Sequence, residues 1–175
     1  MSWLIMILFD SNITLPQCHS DNIYNHMIIE ISFEQIIPFW QRLWPWNAEK
    51  TFEPHSCMRY HGGYFGLDYI PDTTYFALLV DDKIVGVNSG HTTPDNLYRS
   101  RGLWIEKEYR GKGLGVPLLA AGVTKARQLK CDGIWSFPRD TSRKTYEAAG
   151  FIITSDWIIS EYDIKNAYCF QKTID

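Results

Sequence analysis

Short apolar runs, separated by glycine, proline and acidic residues, divide the chain into alternating strands and helices. Residues 27–31 are rich in isoleucine and predict a strand. Residues 33–43 repeat large apolar side chains at helical spacing, which predicts an amphipathic helix. Residues 75–80 and 83–89 are two β-type runs joined by Asp81-Asp82, and this pattern predicts a hairpin.

The second half of the chain predicts a regular alternation of strands and helices. The elements are a strand over 97–105, a glycine turn at 111–115, a helix over 116–130, a strand over 133–137, a helix over 141–149, and strands over 151–157 and 167–172. Gly150 stands where a glycine ends a helix. Antiparallel strands that lead into a β-α-β-α-β tail are typical of an α+β, or mixed α/β, fold.

No linker or repeat divides the 175 residues, so we expect one domain over 27–175. Residues 1–26 precede this pattern and are interpreted as an N-terminal extension or an added strand. Residues 45–71 are rich in aromatic side chains and broken by proline and glycine. A helix with a long loop fits that segment, but the pattern leaves its fold open.

The composition, with 45% apolar and 21% charged residues, is that of an ordinary globular protein. The four cysteines form no Cys-x-x-Cys pair, which disfavours a zinc framework or a disulfide scaffold and favours reduced thiols in the cytoplasm. The apolar run at residues 3–9 is too short to span a bilayer, which takes about 20 residues, and no basic residue precedes it as in a secretory signal. We therefore expect a cytoplasmic protein with no membrane partner.

Charge is distributed unevenly along the chain. Residues 97–151 hold 11 basic and 5 acidic residues, a net charge of +6, whereas the remainder carries −9. The basic segment favours a polyanionic ligand, and chance clustering of surface charge is the alternative. Nucleic acid is not the expected partner, because the whole chain has a net charge of −3 and contains no nucleic-acid-binding motif.

The glycine turn at residues 111–115 is the most informative segment, since glycines between a strand and a helix expose backbone N–H groups to an anion. A nucleotide P-loop is excluded in its usual form because no Lys-Ser or Lys-Thr follows the last glycine. A dinucleotide fingerprint needs Gly-x-Gly-x-x-Gly, which is absent here. The pattern Arg/Gln-x-x-Gly-x-Gly/Ala fits Arg110, Gly113 and Gly115 in full.

At this pattern the sequence resembles the GNAT superfamily of acyl-CoA-dependent N-acetyltransferases. The resemblance also rests on the strand 103–105, the run from Glu108 to Gly113, and residues 146–151. It is strongest over residues 75–157. It implies a central, mostly antiparallel sheet of six to seven strands flanked by about four helices.

The resemblance further implies that acetyl-CoA is the co-substrate and that a primary amine attacks its thioester directly. The implied cofactor-binding residues are Leu103, Trp104, Ile105, Arg110, Gly111, Lys112, Gly113, Leu114, Gly115, Arg139 and Arg143. Tyr146 occupies the family's general-acid position, from which a phenol gives a proton to the leaving thiolate. A packed helix tyrosine is the alternative for this residue.

Two positions depart from the family pattern: Arg139 stands where family members often carry an asparagine that contacts pantetheine, and Lys107 where they often carry proline. The general base is left open among His61, His91, Glu106 and a chain of waters. The spacing of His55, Cys57 and His61 resembles metal ligands only loosely, so no metal is expected.

The acceptor pocket is expected in the aromatic stretch over residues 40–75. Its candidate rings are Trp44, Trp46, Tyr60, Tyr64 and Tyr69, and nearby acidic residues Glu53, Asp68 and Asp72 would suit a cationic amine. A small amine, an amino acid and a peptide N-terminus all stay open as acceptors. A homodimer is a further expectation, and an acyl-CoA-binding module without turnover is the alternative function.

Overall fold

This computed structural model describes residues 26–47, 51–66, 69–160 and 162–173 of the chain. These residues contain nine strands and three α-helices. The strands are β1 (His26–Ile31), β2 (Thr73–Val80), β3 (Lys83–Thr92), β4 (Leu97–Ile105), β5 (Gly133–Ser136), β6 (Ile152–Ile153), β7 (Ile158–Ile159), β8 (Lys165–Asn166) and β9 (Cys169–Lys172). The helices are α1 (Phe33–Leu43), α2 (Gly115–Gln128) and α3 (Arg143–Ala148). The predicted N-terminal extension lies outside the described residues, apart from His26, which begins β1.

Seven of the strands form one sheet in the order β1-β2-β3-β4-β5-β9-β6, and β7 and β8 form a separate pair. Every neighbouring pair in the large sheet is antiparallel except β4 and β5, which run parallel. The mixed α+β fold and the prediction of six to seven mostly antiparallel strands are therefore confirmed. Parallel strands need a crossover, and α2 supplies it between β4 and β5.

The sheet carries helices on both faces, as the alternation along β2 shows. Tyr75 and Ala77 of β2 pack in one cluster with Ile36 and Trp40 of α1. The intervening β2 residues pack in another cluster with Leu118 of α2. Successive strand residues point to opposite faces, so α1 covers one face and α2 the other.

The prediction of about four helices is wrong, because the described residues contain three α-helices. The additional helix was expected between α1 and β2. There His61, Gly62 and Gly63 all have positive φ values (60°, 103° and 79°), whereas an α-helix needs φ near −63°. This segment instead forms an irregular loop, residues 51–66, which we call the pocket loop.

The predicted strand over 151–157 is also shorter in the structure, where β6 contains only Ile152 and Ile153. The chain then leaves the sheet toward the β7–β8 hairpin, whose pairing joins Ile158 to Asn166 and Ile159 to Lys165. Gly150 has a φ of 91° directly after α3, as a glycine at a helix end should.

Side chains of the sheet hold the pocket loop on the α1 face. Arg101 donates hydrogen bonds to the carbonyls of Glu53 (2.8 Å) and His55 (2.9 Å). The backbone N–H of Ser56 donates to Nε2 of His91 (3.1 Å). The Tyr75 hydroxyl donates to the carbonyl of Pro54 (3.3 Å). These bonds fix backbone whose own pairing is a single bridge, between Met58 and Tyr64.

Candidate active site

A cleft opens in the sheet where β4 and β5 part. The two strands pair only at Leu97–Gly133, Tyr98–Ile134 and Arg99–Trp135, although β4 continues to Ile105. The opening has a cavity volume of about 110 Å³. Its walls include Trp44, Arg99, Leu103, Phe137, Arg139 and Tyr146. The apex of the cleft is therefore the last pair, Arg99 and Trp135.

Two residues explain why the strands separate. The β3–β4 register shifts between Val87 and Ser89, which places a bulge around Gly102, and Gly102 has a φ of 74°. A side chain at this position would overlap the indole of Trp40 in α1. On the other wall Pro138 follows β5 and has no N–H to donate to β4. The backbone edge of β4 is consequently open from Ser100 to Ile105.

The open edge of β4 offers backbone N–H groups to a ligand. The N–H of Glu106 donates to the carbonyl of Val85 in β3 (2.8 Å), so the N–H of Ile105 points to the opposite edge and into the cleft. Leu103 lies two residues earlier, and its N–H points the same way. The carbonyl of Ile105 is already occupied, since Nε of Arg110 donates to it (2.8 Å).

The glycine turn lies at the outer end of this edge, directly before α2. Gly111 and Gly113 have φ values of 73° and 76°, and a Cβ built on either one would meet no atom within 4 Å. The backbone N–H groups of Gly111, Gly113 and Leu114 donate no backbone hydrogen bond among the described residues. Free N–H donors, open space and the positive end of the α2 dipole together make an anion-binding turn.

The other predicted residues of this turn have packing roles as well. Leu114 is buried in the core beside Leu118. A Cβ on Gly115 would lie 2.6 Å from Cγ2 of Thr145, so this glycine permits close contact between α2 and α3. The Arg110 guanidinium lies 4.5 Å from the ring centre of Trp104, and Nζ of Lys112 lies 5.2 Å from that of Tyr109.

Tyr146 of α3 lines the cleft near its apex, although the residue is only 3% exposed. Its hydroxyl lies 3.1 Å from Oγ of Ser136, and Ser136 Oγ donates to the carbonyl of Ser100 (2.9 Å). A serine hydroxyl has one proton to donate, so Tyr146 is the donor to Ser136. Burial raises the pKa of Tyr146 well above its ordinary value, and the hydroxyl therefore keeps its proton.

The two remaining predicted cofactor residues lie on either side of the cleft mouth. Arg139 donates to the carbonyl of Leu43 at the end of α1 (2.8 Å), and its guanidinium lies 5.3 Å from the ring centre of Trp46. Burial, followed by the nearby Arg110, lowers the pKa of Arg139. Arg143 is half-exposed and forms an ion pair with Glu147 (2.7 Å) one turn along α3.

A model of the acetyltransferase (GNAT) family matches residues 33–151, more than two thirds of the chain and including the cleft, the glycine turn and Tyr146. The chain belongs to the GNAT acetyltransferase family. No protein of curated function matches it in sequence.

Solved structures of GNAT-type proteins have the same fold. A proposed acyl-CoA N-acyltransferase from Klebsiella pneumoniae is 16% identical with a TM-score of 0.62, and the match covers 86% of this chain and 99% of that one. A GNAT-family acetyltransferase from Staphylococcus aureus is 16% identical with a TM-score of 0.57, over 85% and 99% of the two chains. A proposed streptothricin acetyltransferase from Bacillus anthracis, solved with acetyl coenzyme A, is 16% identical with a TM-score of 0.56, over 84% and 99%.

The residues predicted to form the acceptor pocket do not all lie together in the structure. Trp44 lines the cleft, and Tyr60 packs on Trp135 with ring centres 5.6 Å apart. Trp46 instead stacks on Tyr162 (5.2 Å), and Tyr64 is 76% exposed. Tyr69 lines a separate groove with Arg59 and Pro94.

The charged residues that line the cleft are basic, whereas the sequence led us to expect acidic residues at the acceptor pocket. Arg99 and Arg101 of β4 line the cleft, whereas Glu53 is an exposed residue whose backbone carbonyl accepts a hydrogen bond from Arg101. Asp72 is exposed, and Asp68 lies outside the described residues. The aromatic rings thus surround guanidinium groups rather than carboxylates.

Of the three side chains considered as a general base, two are engaged elsewhere. His91 receives a hydrogen bond from Ser56 on Nε2, and its Nδ1 lies 2.8 Å from the carbonyl of Thr92, so its lone pair is used. Glu106 pairs with Arg42 (2.7 Å). His61 is exposed in the pocket loop, with its ring centre 5.2 Å from that of Tyr168.

The described residues contain no group of three or more His, Cys, Asp or Glu side chains placed to hold a metal ion. Sγ of Cys57 lies 3.9 Å from Nε2 of His55, whereas His61 packs against Tyr60 (4.1 Å). Within the same residues no helix has the length and apolar character needed to cross a membrane.

Sequence reasoning missed three residues of the site: Gly102, Ser136 and Arg99. An isolated glycine inside a predicted strand is a signal for a bulge, and it was available at Gly102. Arg99 and Arg101 alternate along a predicted strand, which placed them on one face together. Ser136 had no such signal, since its role depends on the distant Tyr146 and Ser100.

Proposed function

We propose that this GNAT protein transfers an acetyl group from acetyl-CoA to a primary amine. The supporting observation is that three features follow one another from the glycine turn along β4 to the cleft. These are the anion-binding turn at Gly111–Gly113, the open edge of β4, and the Tyr146–Ser136 hydroxyl pair near the apex. Their order matches the order of groups along acetyl-CoA, from its phosphates to its thioester.

The residues at the outer end of the cleft suit a pyrophosphate. At Gly111 and Gly113 the turn presents N–H groups that donate no backbone hydrogen bond among the described residues, and no side chain stands in front of them. The N–H groups of Leu103 and Ile105 would hold the amide-bearing arm as an added strand would be held. The N–H groups of this edge would also stabilise negative charge on the thioester oxygen.

Acetyl-CoA supplies the acetyl group as a thioester, and the reaction exchanges a carbon–sulfur bond for a carbon–nitrogen bond. The amine nitrogen forms a bond to the carbonyl carbon, the sulfur leaves with the bonding electron pair, and one proton passes from nitrogen to sulfur overall. Tyr146 holds a proton at the apex and donates it toward the departing sulfur. Solvent takes the proton released by the amine and returns one to the Tyr146 phenolate.

The cleft itself assists the loss of the proton from the amine. An ammonium ion resembling that of lysine has an unperturbed pKa of about 10.4, and nearby like charge lowers such a pKa. Burial lowers the pKa values of Arg99 and Arg101 to about 9 and about 10, so both remain cationic at pH 7. An amine entering beside these guanidinium groups is therefore biased toward its neutral, nucleophilic form.

The test is release of the CoA thiol from acetyl-CoA in the presence of a panel of primary amines. Amine-dependent release, together with the N-acetylated product in the mass spectrum, is the expected result. Binding of acetyl-CoA without any amine-dependent release would instead favour an acyl-CoA-binding module without turnover.

A further inference from the structure

Arg99 is a buried cation at the apex of the cleft with most of its hydrogen-bonding capacity unused. The residue is only 8% exposed. One of its terminal nitrogens donates to the hydroxyl of Ser56, and the other contacts only the sulfur of Met58 (3.5 Å). Its Nε is buried without a hydrogen-bond partner among the described residues. The guanidinium lies 4.8 Å from the ring centre of Trp135.

Such a group is unusual in a folded protein. Buried charges are normally paired, because burying an ion without a partner costs several kcal/mol. Three ion pairs are found among the described residues: Arg42–Glu106, Lys125–Glu30 and Arg143–Glu147. None of them involves Arg99. The structure therefore contains a built cationic site whose counter-ion is not supplied by the described chain.

Arg101 provides the internal comparison, since it is also buried and also lacks a carboxylate among the described residues. Its guanidinium donates to two backbone carbonyls and lies between two indole rings, 4.7 Å from Trp40 and 5.1 Å from Trp44. Through these contacts Arg101 holds the pocket loop in place. They leave Arg99 as the cation with unused donors.

The position of Arg99 relates it directly to the proposed reaction. Arg99 pairs with Trp135 at the point where the strands part, and both side chains lie on the face covered by the pocket loop. The next residue, Ser100, has its carbonyl at the end of the Tyr146–Ser136 chain. A group bound by Arg99 would thus lie next to the reacting centre, on the face opposite to α3.

We propose that Arg99 binds a carboxylate carried by the acceptor, so that the acceptor is a small amino acid rather than a simple amine. This inference rests on the proposed acetyl transfer. A guanidinium matches the two oxygens of a carboxylate with parallel hydrogen bonds, and Arg99 lines the cleft that the acceptor would enter. The rings of Trp44 and Phe137, which line the cleft, would surround the remainder of the molecule.

The test compares the twenty common amino acids with their decarboxylated amines as acceptors, using CoA thiol release by the wild-type protein. At least one amino acid is expected to exceed its own decarboxylated amine in kcat/KM by about 10²-fold or more, because a site built for a charged partner rejects the analogue that lacks it. Equal kcat/KM values within every pair would overturn the carboxylate assignment and leave acetyl transfer intact.

Three variants separate recognition from stability. Arg99→Gln is expected to reduce the preference for the amino acid by at least about tenfold, and Arg99→Lys to restore part of it. Arg101→Gln, the matched control, is expected to lower the melting temperature but to keep the preference. Loss of the preference in Arg101→Gln, with Arg99→Gln unchanged, would contradict the assignment to Arg99.

A binding measurement decides the site independently of turnover. N-acetyl amino acids and the matching N-alkylacetamides would be titrated into the wild-type protein by thermal melting. Stabilisation by a carboxylate-bearing member alone, lost in Arg99→Gln, is the expected result. If no amine is acetylated the proposed function fails, and if in addition no carboxylate stabilises the protein the Arg99 site fails with it.

Discussion

The hydroxyl of Tyr146 lies 3.1 Å from Oγ of Ser136, and this contact ties α3 to β5 at the apex of the cleft. The Ser136 hydroxyl donates a hydrogen bond to the carbonyl of Ser100 in β4, so the three residues join both walls of the opening. The same contact holds the Tyr146 proton at the place where the proposed reaction needs it. Its geometry therefore carries a direct kinetic prediction.

Replacing Tyr146 with phenylalanine is expected to lower kcat by about 10²-fold, the usual size of a general-acid contribution, while acetyl-CoA binding changes little. Steady-state kinetics with titration of acetyl-CoA would measure both quantities. Tyr98→Phe is the matched control, since Tyr98 is buried in the same hydrophobic cluster but does not line the cleft. Unchanged kcat in Tyr146→Phe would remove this residue from the mechanism and leave it as a packed helix tyrosine.

Gly102→Ala is expected to destabilise the protein by about 2–5 kcal/mol, from a left-handed backbone with a side chain and from overlap with Trp40. Thermal unfolding would record the loss. Gly62→Ala serves as the control, because Gly62 also has a positive φ but a Cβ there would lie 4.0 Å from the nearest atom. Equal effects of the two substitutions would show that the close approach of α1 to the bulge contributes nothing.

Burial of His91 predicts a specific dependence of stability on pH. Burial lowers the pKa of His91 to about 3, against about 6.5 in an unfolded chain. Between these values the unfolded state binds more protons, so the contribution of His91 is complete above pH 6.5 and is lost as the pH falls toward 3. The loss amounts to at most about 1.4 kcal/mol per pH unit.

His91→Gln should therefore show a shallower fall in unfolding free energy between pH 6.5 and 4 than the wild-type protein. Urea unfolding at several pH values measures the two slopes. His61→Gln, in which an exposed ring of the pocket loop is replaced, should keep the wild-type slope. Parallel curves for wild type and His91→Gln would contradict the assignment of a neutral, buried imidazole.

Apolar periodicity and turn residues predicted the elements whose formation depends on neighbouring residues in the chain. The β2–β3 hairpin, α2 and the glycine turn all lie where apolar periodicity, Asp81-Asp82 and the glycines placed them. The predicted family followed from the same turn and from residues 146–151, and the family model confirms it.

These local patterns could not predict contacts between residues that are far apart in the chain. The path of the pocket loop depends on bonds from Arg101, His91 and Tyr75, which are 21 to 48 positions away from their partners. A proline- and glycine-rich stretch does not reveal those partners, and a helix was wrongly expected in it. The positive charge of the acceptor side was missed for the same reason, since burial of Arg99 depends on this loop.

Binding of the acetyl-CoA phosphates at the glycine turn is tested by isothermal titration of acetyl-CoA into the wild-type protein and into Gly113→Asp. We expect the wild-type protein to bind acetyl-CoA and Gly113→Asp to bind it about 10²-fold more weakly. The reason is that a like charge about 5 Å from a phosphate costs about 3 kcal/mol at an effective dielectric constant near 20. Gly113→Asn controls for backbone strain, and Gly63→Asp for added charge on another glycine of positive φ (79°). Failure of the wild type to bind acetyl-CoA, or equal affinity in Gly113→Asp, would contradict a phosphate-binding role for the glycine turn.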